Sequence, residues 1–196
     1  MILPIVAYGD PVLRKACEAI AKDYPGLEDL IANMWETMYQ ASGVGLAAPQ
    51  VGLPIRLFMV DTSPFGEDEE LSEQERTLLG NFKRVFINAR IEEESGDIWA
   101  FNEGCLSIPD IREDVSRKER LTLSYLDESF TARKETFDGI LARVIQHEYD
   151  HIEGVLFTDR LSSLKRRLLK SRLTNIAKGK VNVDYRMRFP LQKKMR

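Results

Sequence analysis

Two residue types are nearly missing from this chain: it has two histidines and two cysteines in 196 residues. Two cysteines, Cys17 and Cys105, cannot build the dense disulfide framework of a small secreted scaffold, and reduced thiols in a cytosolic protein fit better. Long apolar runs are also missing, and none approaches the roughly 18 residues that a membrane span needs. The opening MILPIVAYGDPVLRK has neither a basic leader nor an A-x-A-like step, which argues against a signal peptide. A cytoplasmic protein without a membrane segment is expected. No internal repeat is visible, and a hydrophobic fraction of 43% supports a real core. The length suits one compact domain, or one domain with an appendage.

Basic residues are scarce over most of the length and concentrated at one end. Residues 160–196 hold 13 Lys and Arg against a single acid, Asp184, for a net +12. The other 159 residues carry 15 basic and 30 acidic side chains, for a net −15. An acidic body with a basic tail points to a polyanion as the tail's partner.

The pattern along the chain is that of an α+β fold. LEDLIANMWETMYQA (27–41) places Leu27, Leu30, Ile31, Met34 and Met38 at helical spacing after an Asp23/Pro25 start. GVGLAAPQVG is too rich in glycine to continue that helix and reads as a turn plus strand. Strand-like runs follow at 55–61, 84–91, 97–101, 121–127 and 131–137. Between the first two lies SPFGEDEELSEQERTLLGN (63–81), acidic and poor in core residues, which reads as a mobile surface insertion. DGILARVIQHEYDHIEG (138–154) is helical, with Asp138 able to cap its start and Gly154 able to end it. Ile140, Val144, His147 and His151 form one stripe of that helix, so both histidines face inward. LSSLKRRLLKSRLTNIAKGK (161–180) reads as a basic amphipathic helix capped by Asp159, with Leu161, Leu164, Leu168 and Ile176 on one face. The end of the chain reads as a short strand or loose tail. Runs of strands with few helices favour mostly antiparallel strands around a central helix, 138–154, over alternating βαβ units. The expected division is a body over 1–160 and a basic helix and tail over 161–196.

The two histidines sit together in QHEYDH. Imidazoles four residues apart on a helix lie one above the other and can grip one ion, with Glu148 placed to take a proton from a water beside it. A catalytic site needs a third protein ligand and an open position. No third histidine exists, Glu153 is too close along the same helix, and no glutamate lies downstream, so the ordinary metalloprotease pattern fails. Cys105 is the best remaining candidate. A thiolate with two imidazoles suits Zn²⁺, Fe²⁺, Ni²⁺ or Co²⁺. Cys17, on an amphipathic stretch, reads as an inert buried thiol.

GVGLAAPQ (43–50), EGCLS (103–107) and QHEYDH (146–151), in that order and spacing, resemble the peptide deformylase family. GDPVLRK (9–15) and LFTDRLS (156–162) extend the resemblance over about residues 1–165. It implies a metallohydrolase that removes the N-formyl group from the initiator methionine of nascent chains and releases formate. It implies one ion per chain held by Cys105, His147 and His151, with a hydrolytic water in the fourth position. The ion implied is Fe²⁺, which Zn²⁺, Ni²⁺ or Co²⁺ can replace. Glu148 would be the general base and then the acid, while the Gln50 amide and the Leu106 backbone N–H would donate to the developing oxyanion.

The resemblance also assigns a substrate path. Gly43, Val44 and Gly45, with Gly104 and Leu106, would hold the formyl-peptide backbone in an extended pose. The methionine side chain would enter an apolar pocket walled by Ile140 and Val144. Glu103 and Arg112 stand where the family pairs two charges near that pocket, and Asp150 would anchor the metal helix. The 63–81 insertion and the tail past Lys178 lie outside the motifs and bear on substrate range more than on activity.

Two other readings compete. Another metal-dependent peptidase or amidase would need the downstream ligand that is absent. A binding protein could work through KRRLLKSR (165–172), whose clustered charge suits RNA. The two activities can be combined, with the basic tail docking the enzyme on the ribosome.

Overall fold

The protein, described by a computed structural model over residues 1–191, is α+β. Residues 192–196, the end of the basic tail, lie outside the described residues. In chain order the elements are β1 (Ile5–Val6), α1 (Leu27–Gln40), β2 (Gly45–Ala47), β3 (Leu57–Asp61), α2 (Glu73–Gly80), β4 (Lys83–Cys105), β5 (Ile108–Leu126), β6 (Ala132–Asp138), α3 (Gly139–Ile152), α4 (Ser163–Ala177) and β7 (Met187–Arg188). Short 3₁₀ turns cover Pro11–Arg14, Ala48–Val51, Ser63–Glu67 and Phe157–Arg160.

Strands β2 to β6 form one antiparallel sheet in sequence order. Its organisation follows from the alternation in β3. Phe58 and Val60 face one core, which also contains Phe86, Leu123, Ala142 and Ile145. Leu57 and Met59 face a second, with Met34, Met38, Val85 and Ile87. A strand buried on both faces reads as a continuous apolar run, and LFMV is such a run. The sheet is therefore covered by α3 on one side and α1 on the other, and each fully buried large side chain contributes about 1.5–3 kcal/mol of transfer free energy. A third core lies where Ile108, Ile111 and Val115 meet Leu156, Phe157, Leu169, Leu173 and Ile176.

Several elements differ from the sequence reading. The runs at 84–91 and 97–101 are one long strand, β4, broken by bulges near Arg90, Glu93 and Ile98. The first half of β5 is strand too, although its charges masked it. The 63–81 segment is built around α2, whose Ser72 and Glu75 form a reciprocal capping box, and Leu79 is buried beneath it. The α4 helix is capped by Ser162, not Asp159, which instead accepts from the Leu156 N–H and pairs with Arg14. Its inward face is Leu169, Leu173, Ile176 and Ala177, while Leu164 and Leu168 are exposed at 56% and 71%. Leucine at both phases made the stripe ambiguous, and packing against the third core chose between them. Among the described residues no helix is long and apolar enough to cross a membrane.

Candidate metal centre and active site

The α3 helix starts where the sequence says, with the Asp138 side chain accepting from the Gly139 N–H, and the chain leaves it through Gly154 at φ 74°. This positions His147 and His151 with ring centroids 5.1 Å apart. Cys105 comes from the end of β4, and its Sγ lies 3.3 Å from His151 Nε2. One donor atom from each of Cys105, His147 and His151 falls within 4.8 Å of the other two. The His147 Nδ1 lies 2.9 Å from the Glu103 carboxylate, which orients the ring and leaves Nε2 for an ion. A half-buried thiol beside one half-buried and one buried imidazole, the former fixed by a carboxylate, is a donor set that fits a borderline divalent ion.

Glu148 is 5% exposed, its Oε2 has no hydrogen-bond partner, and burial pushes its carboxyl up to about 7. A carboxyl poised there can both accept and return a proton near neutral pH. It lies against the backbone of Gly45, where a Cβ would stand 2.7 Å from Glu148 Cδ. No larger residue fits without displacing the carboxyl.

Gln50 is buried at the end of its 3₁₀ turn. Its Oε1 accepts from the Ala47 N–H at 2.8 Å, which directs Nε2 toward Cys105 Sγ at 3.6 Å and Ser107 Oγ at 3.3 Å. The amide donor is thus aimed into the metal centre. Cys17 is remote from it, and burial pushes its thiol up to about 11, as suits an inert core cysteine.

A buried charge network ties the helix to the long hairpin. Glu103 accepts from Arg117 Nε at 2.7 Å and Nη2 at 2.8 Å, and from Arg143 Nη1 at 3.1 Å. Burial alone would raise the Glu103 carboxyl, but the hydrogen bonds from Arg117 and His147 hold it well below the usual carboxylate range. Arg117 also donates to Asp150 at 2.6 Å, and Arg160 grips the same carboxylate with two bonds of 2.6 Å. Asp150 therefore anchors α3.

The expected Glu103–Arg112 pair is not formed. Arg112 bonds instead to Asn102 Oδ1 and O, at 2.8 and 2.7 Å, on the exposed face of the hairpin. Strand parity explains the difference. Ile111, Val115 and Arg117 point inward on β5, and Arg112 is out of phase with them. That period-2 pattern places Arg117 inward, but the charged residues around it mask the alternation in the sequence.

A cleft of about 710 Å³ opens over Cys105 and His147, while His151 is buried and does not line it. Gly43, Val44, Gly45, Gln50, Glu103, Gly104, Leu106, Arg112, Val144, His147 and Glu148 line it, so most of the expected site residues are brought together. Ile140 does not line it; it packs against the sheet core. Arg143 does, and it is fully buried. Its guanidinium lies 4.5 Å from the Trp99 ring centroid and donates to Trp99 O and Val115 O at 2.8 Å each. Two contributions were unforeseen: Phe65 from the insertion, and Asn182 to Tyr185 from the tail. Both segments had been placed outside the motifs, yet Tyr185 reaches Leu106 within EGCLS.

A mixed thiolate–imidazole triad beside a buried glutamate, in an α+β frame with an extended cleft, defines a metal-dependent amide hydrolase. The comparisons with known proteins narrow this class. The polypeptide deformylase family model matches residues 2–167. The chain is 64% identical to the peptide deformylase of Christiangramia forsetii and 63% to that of Flavobacterium johnsoniae, each over the full length of both chains. Among solved structures it resembles peptide deformylase from Thermus thermophilus at 38% identity and a TM-score of 0.76, covering 90% of this chain and 98% of that one. The chain belongs to the peptide deformylase family.

Proposed function

We propose the following division of labour for the deformylase reaction: metal-dependent hydrolysis of the N-formyl group from the initiator methionine of nascent polypeptides, releasing formate. Cys105, His147 and His151 hold one ion, Fe²⁺ under cellular conditions, with Zn²⁺, Ni²⁺ or Co²⁺ able to replace it. When bound, such an ion supplies Lewis acidity and lowers the pKa of a coordinated water toward about 7. Glu148 accepts the proton of the attacking water and returns it to the leaving amine. Its orphaned buried oxygen is the single observation that carries this role. The Gln50 amide and the Leu106 N–H stabilise the charge that grows on the formyl oxygen, where fixed donors in a dry site act strongly. The Val44–Gly45 and Glu103–Gly104–Leu106 edges align the peptide backbone, Gly43 keeps the entrance open, and Val144 with the buried Arg143 walls the methionine pocket.

The residues given these roles all lie within the body over 1–160, and the reaction takes place in the cytoplasm. The basic α4 offers a second attachment, to ribosomal RNA, supported by exposed Arg166, Arg167 and Lys170 around Leu164 and Leu168. Ribosome pelleting that is unchanged after those three charges are neutralised would remove that attachment.

The test of the reaction is formate release from a formyl-Met tripeptide by protein purified without oxygen, with metal content assayed in the same sample. Glu148→Gln should retain about one ion per chain and lose about 10²–10⁴-fold in turnover. Full activity in that variant would remove Glu148 as the base.

A further inference from the structure

The strands β4 and β5 are joined by two residues, Leu106 and Ser107, with Cys105 paired to Ile108 across the turn. Two-residue hairpins favour turns with positive φ. Neither Leu106 nor Ser107 has one. The positive φ near the tip is instead at Asp110 (61°), within the register shift between the Gly104–Arg112 and Cys105–Ile108 pairs, and the tip carrying the thiol and the Leu106 amide is further anchored from other elements. The Tyr8 N–H donates to Ser107 O at 2.8 Å, and Gln50 Nε2 lies 3.3 Å from Ser107 Oγ. The third anchor is the Tyr185 hydroxyl, which donates to Leu106 O at 2.8 Å.

Tyr185 is itself held on a fixed segment. Beyond α4 the chain turns at Gly179, with φ 72°. From Val181 to Phe189 the odd-numbered residues are half-buried and the even-numbered ones exposed, with a bend at Asp184 and Tyr185 before the short strand β7. The Ile5 and Ala7 N–H groups donate to Arg186 O and Arg188 O at 2.8 and 2.9 Å, and the Leu191 N–H returns to Ala177 O at 3.0 Å. The strap is tied at both ends, and its middle closes one side of the cleft.

We infer that this C-terminal strap is a working part of the active site, in which Tyr185 is a positioning residue that fixes the Leu106 backbone and hence the amide facing the reacting formyl group. The inference rests on the reading of Leu106 N–H as an oxyanion donor. Clamping the Leu106 carbonyl restricts rotation at that residue, and small displacements of a donor are costly at a reacting centre. An interaction of this kind acts in the transition state, so its loss should lower kcat and leave KM in place.

The experiment compares Tyr185→Phe, which deletes only the hydroxyl, with Gln50→Ala in the metallated full-length enzyme. Each is assayed for kcat, KM, metal content and thermal midpoint. Tyr185→Phe should lose about three- to ten-fold in kcat, with KM, metal content and midpoint matching the parent. Parental kcat in Tyr185→Phe alongside a crippled Gln50→Ala would overturn the strap inference and leave the oxyanion reading standing. Parental kcat in both would bring down the oxyanion reading and the inference with it. A loss in Tyr185→Phe that tracks lost metal or a lowered midpoint would show an ordinary structural contact and overturn the positioning role.

Discussion

The metal centre has two halves built in opposite ways. On one side, His147, Glu148 and His151 lie on a single 14-residue helix, and helical periodicity alone sets their spacing. On the other, Cys105 and Leu106 sit at the tip of a hairpin whose anchors come from Tyr8, Gln50 and Tyr185. The helix is also clamped by the Arg117–Asp150 and Arg143–Glu103 ion pairs, which have almost no solvent exposure, whereas the tip is held by individual hydrogen bonds, some of them at half-buried groups. Damage to the ion pairs that clamp the helix should therefore appear as lost stability. Damage to the tip should appear as lost rate in a protein that still folds.

The largest effect that would sharpen this contrast is expected from Arg117→Leu. It strands Glu103 and Asp150 as buried carboxylates without their shared partner, and breaking such an arrangement costs about 3–5 kcal/mol. Chemical denaturation should show that loss, and an unchanged unfolding midpoint would break the comparison on the helix side. Gln50→Ala comes next, with a loss of about 10²–10³-fold in kcat, the scale of one oxyanion donor, and an unfolding curve close to the parent.

A pH effect of smaller size follows from Glu148 in metal-stripped protein. Its carboxyl is raised in the folded state to about 7, so its contribution to stability is intact below about pH 4.5 and is lost as pH rises through 7. Glu148→Gln removes that loss. Stripped variant and parent should match near pH 4.5 and diverge between there and about pH 7, with the variant then more stable by about 3 kcal/mol. A constant difference across that range would contradict the burial assigned to Glu148. The smallest effect is expected at Ser107→Ala, which leaves Gln50 Nε2 with only the sulfur beside it and should slow turnover by about two- to ten-fold with no change in midpoint.

The same division decides what could be read before any coordinates existed. The α3 helix, its caps and the inward stripe of histidines were legible because each is a pattern within one continuous segment of chain. The α1 helix and the buried β3 run were legible for the same reason. The first half of β5 was not, because charged side chains on a two-sided ribbon hide the alternation of Ile111, Val115 and Arg117. The partner of Glu103 was misassigned to Arg112 because pairing depends on register and bulges, which have no local signature. Most of the site residues were reachable only through the motif resemblance; nothing in the local sequence of Gln50 or Leu106 marks a donor. Tyr185 carried no signal at all, since its role exists only once the end of the chain has been laid against Leu106.

The parallel pairing of β1 with β7 joins Ile5 to Met187 and Val6 to Arg188. A chain made from its N-terminus exposes β1 long before its partner exists. Until then, the residues that follow α4 cannot reach the cleft, and the hairpin tip lacks its Tyr185 anchor. The cleft therefore acquires this wall only after β7 has been made, well after the last metal ligand, His151. Cutting the chain before Val181 would leave every metal ligand in the sequence while returning the tip to its half-built state.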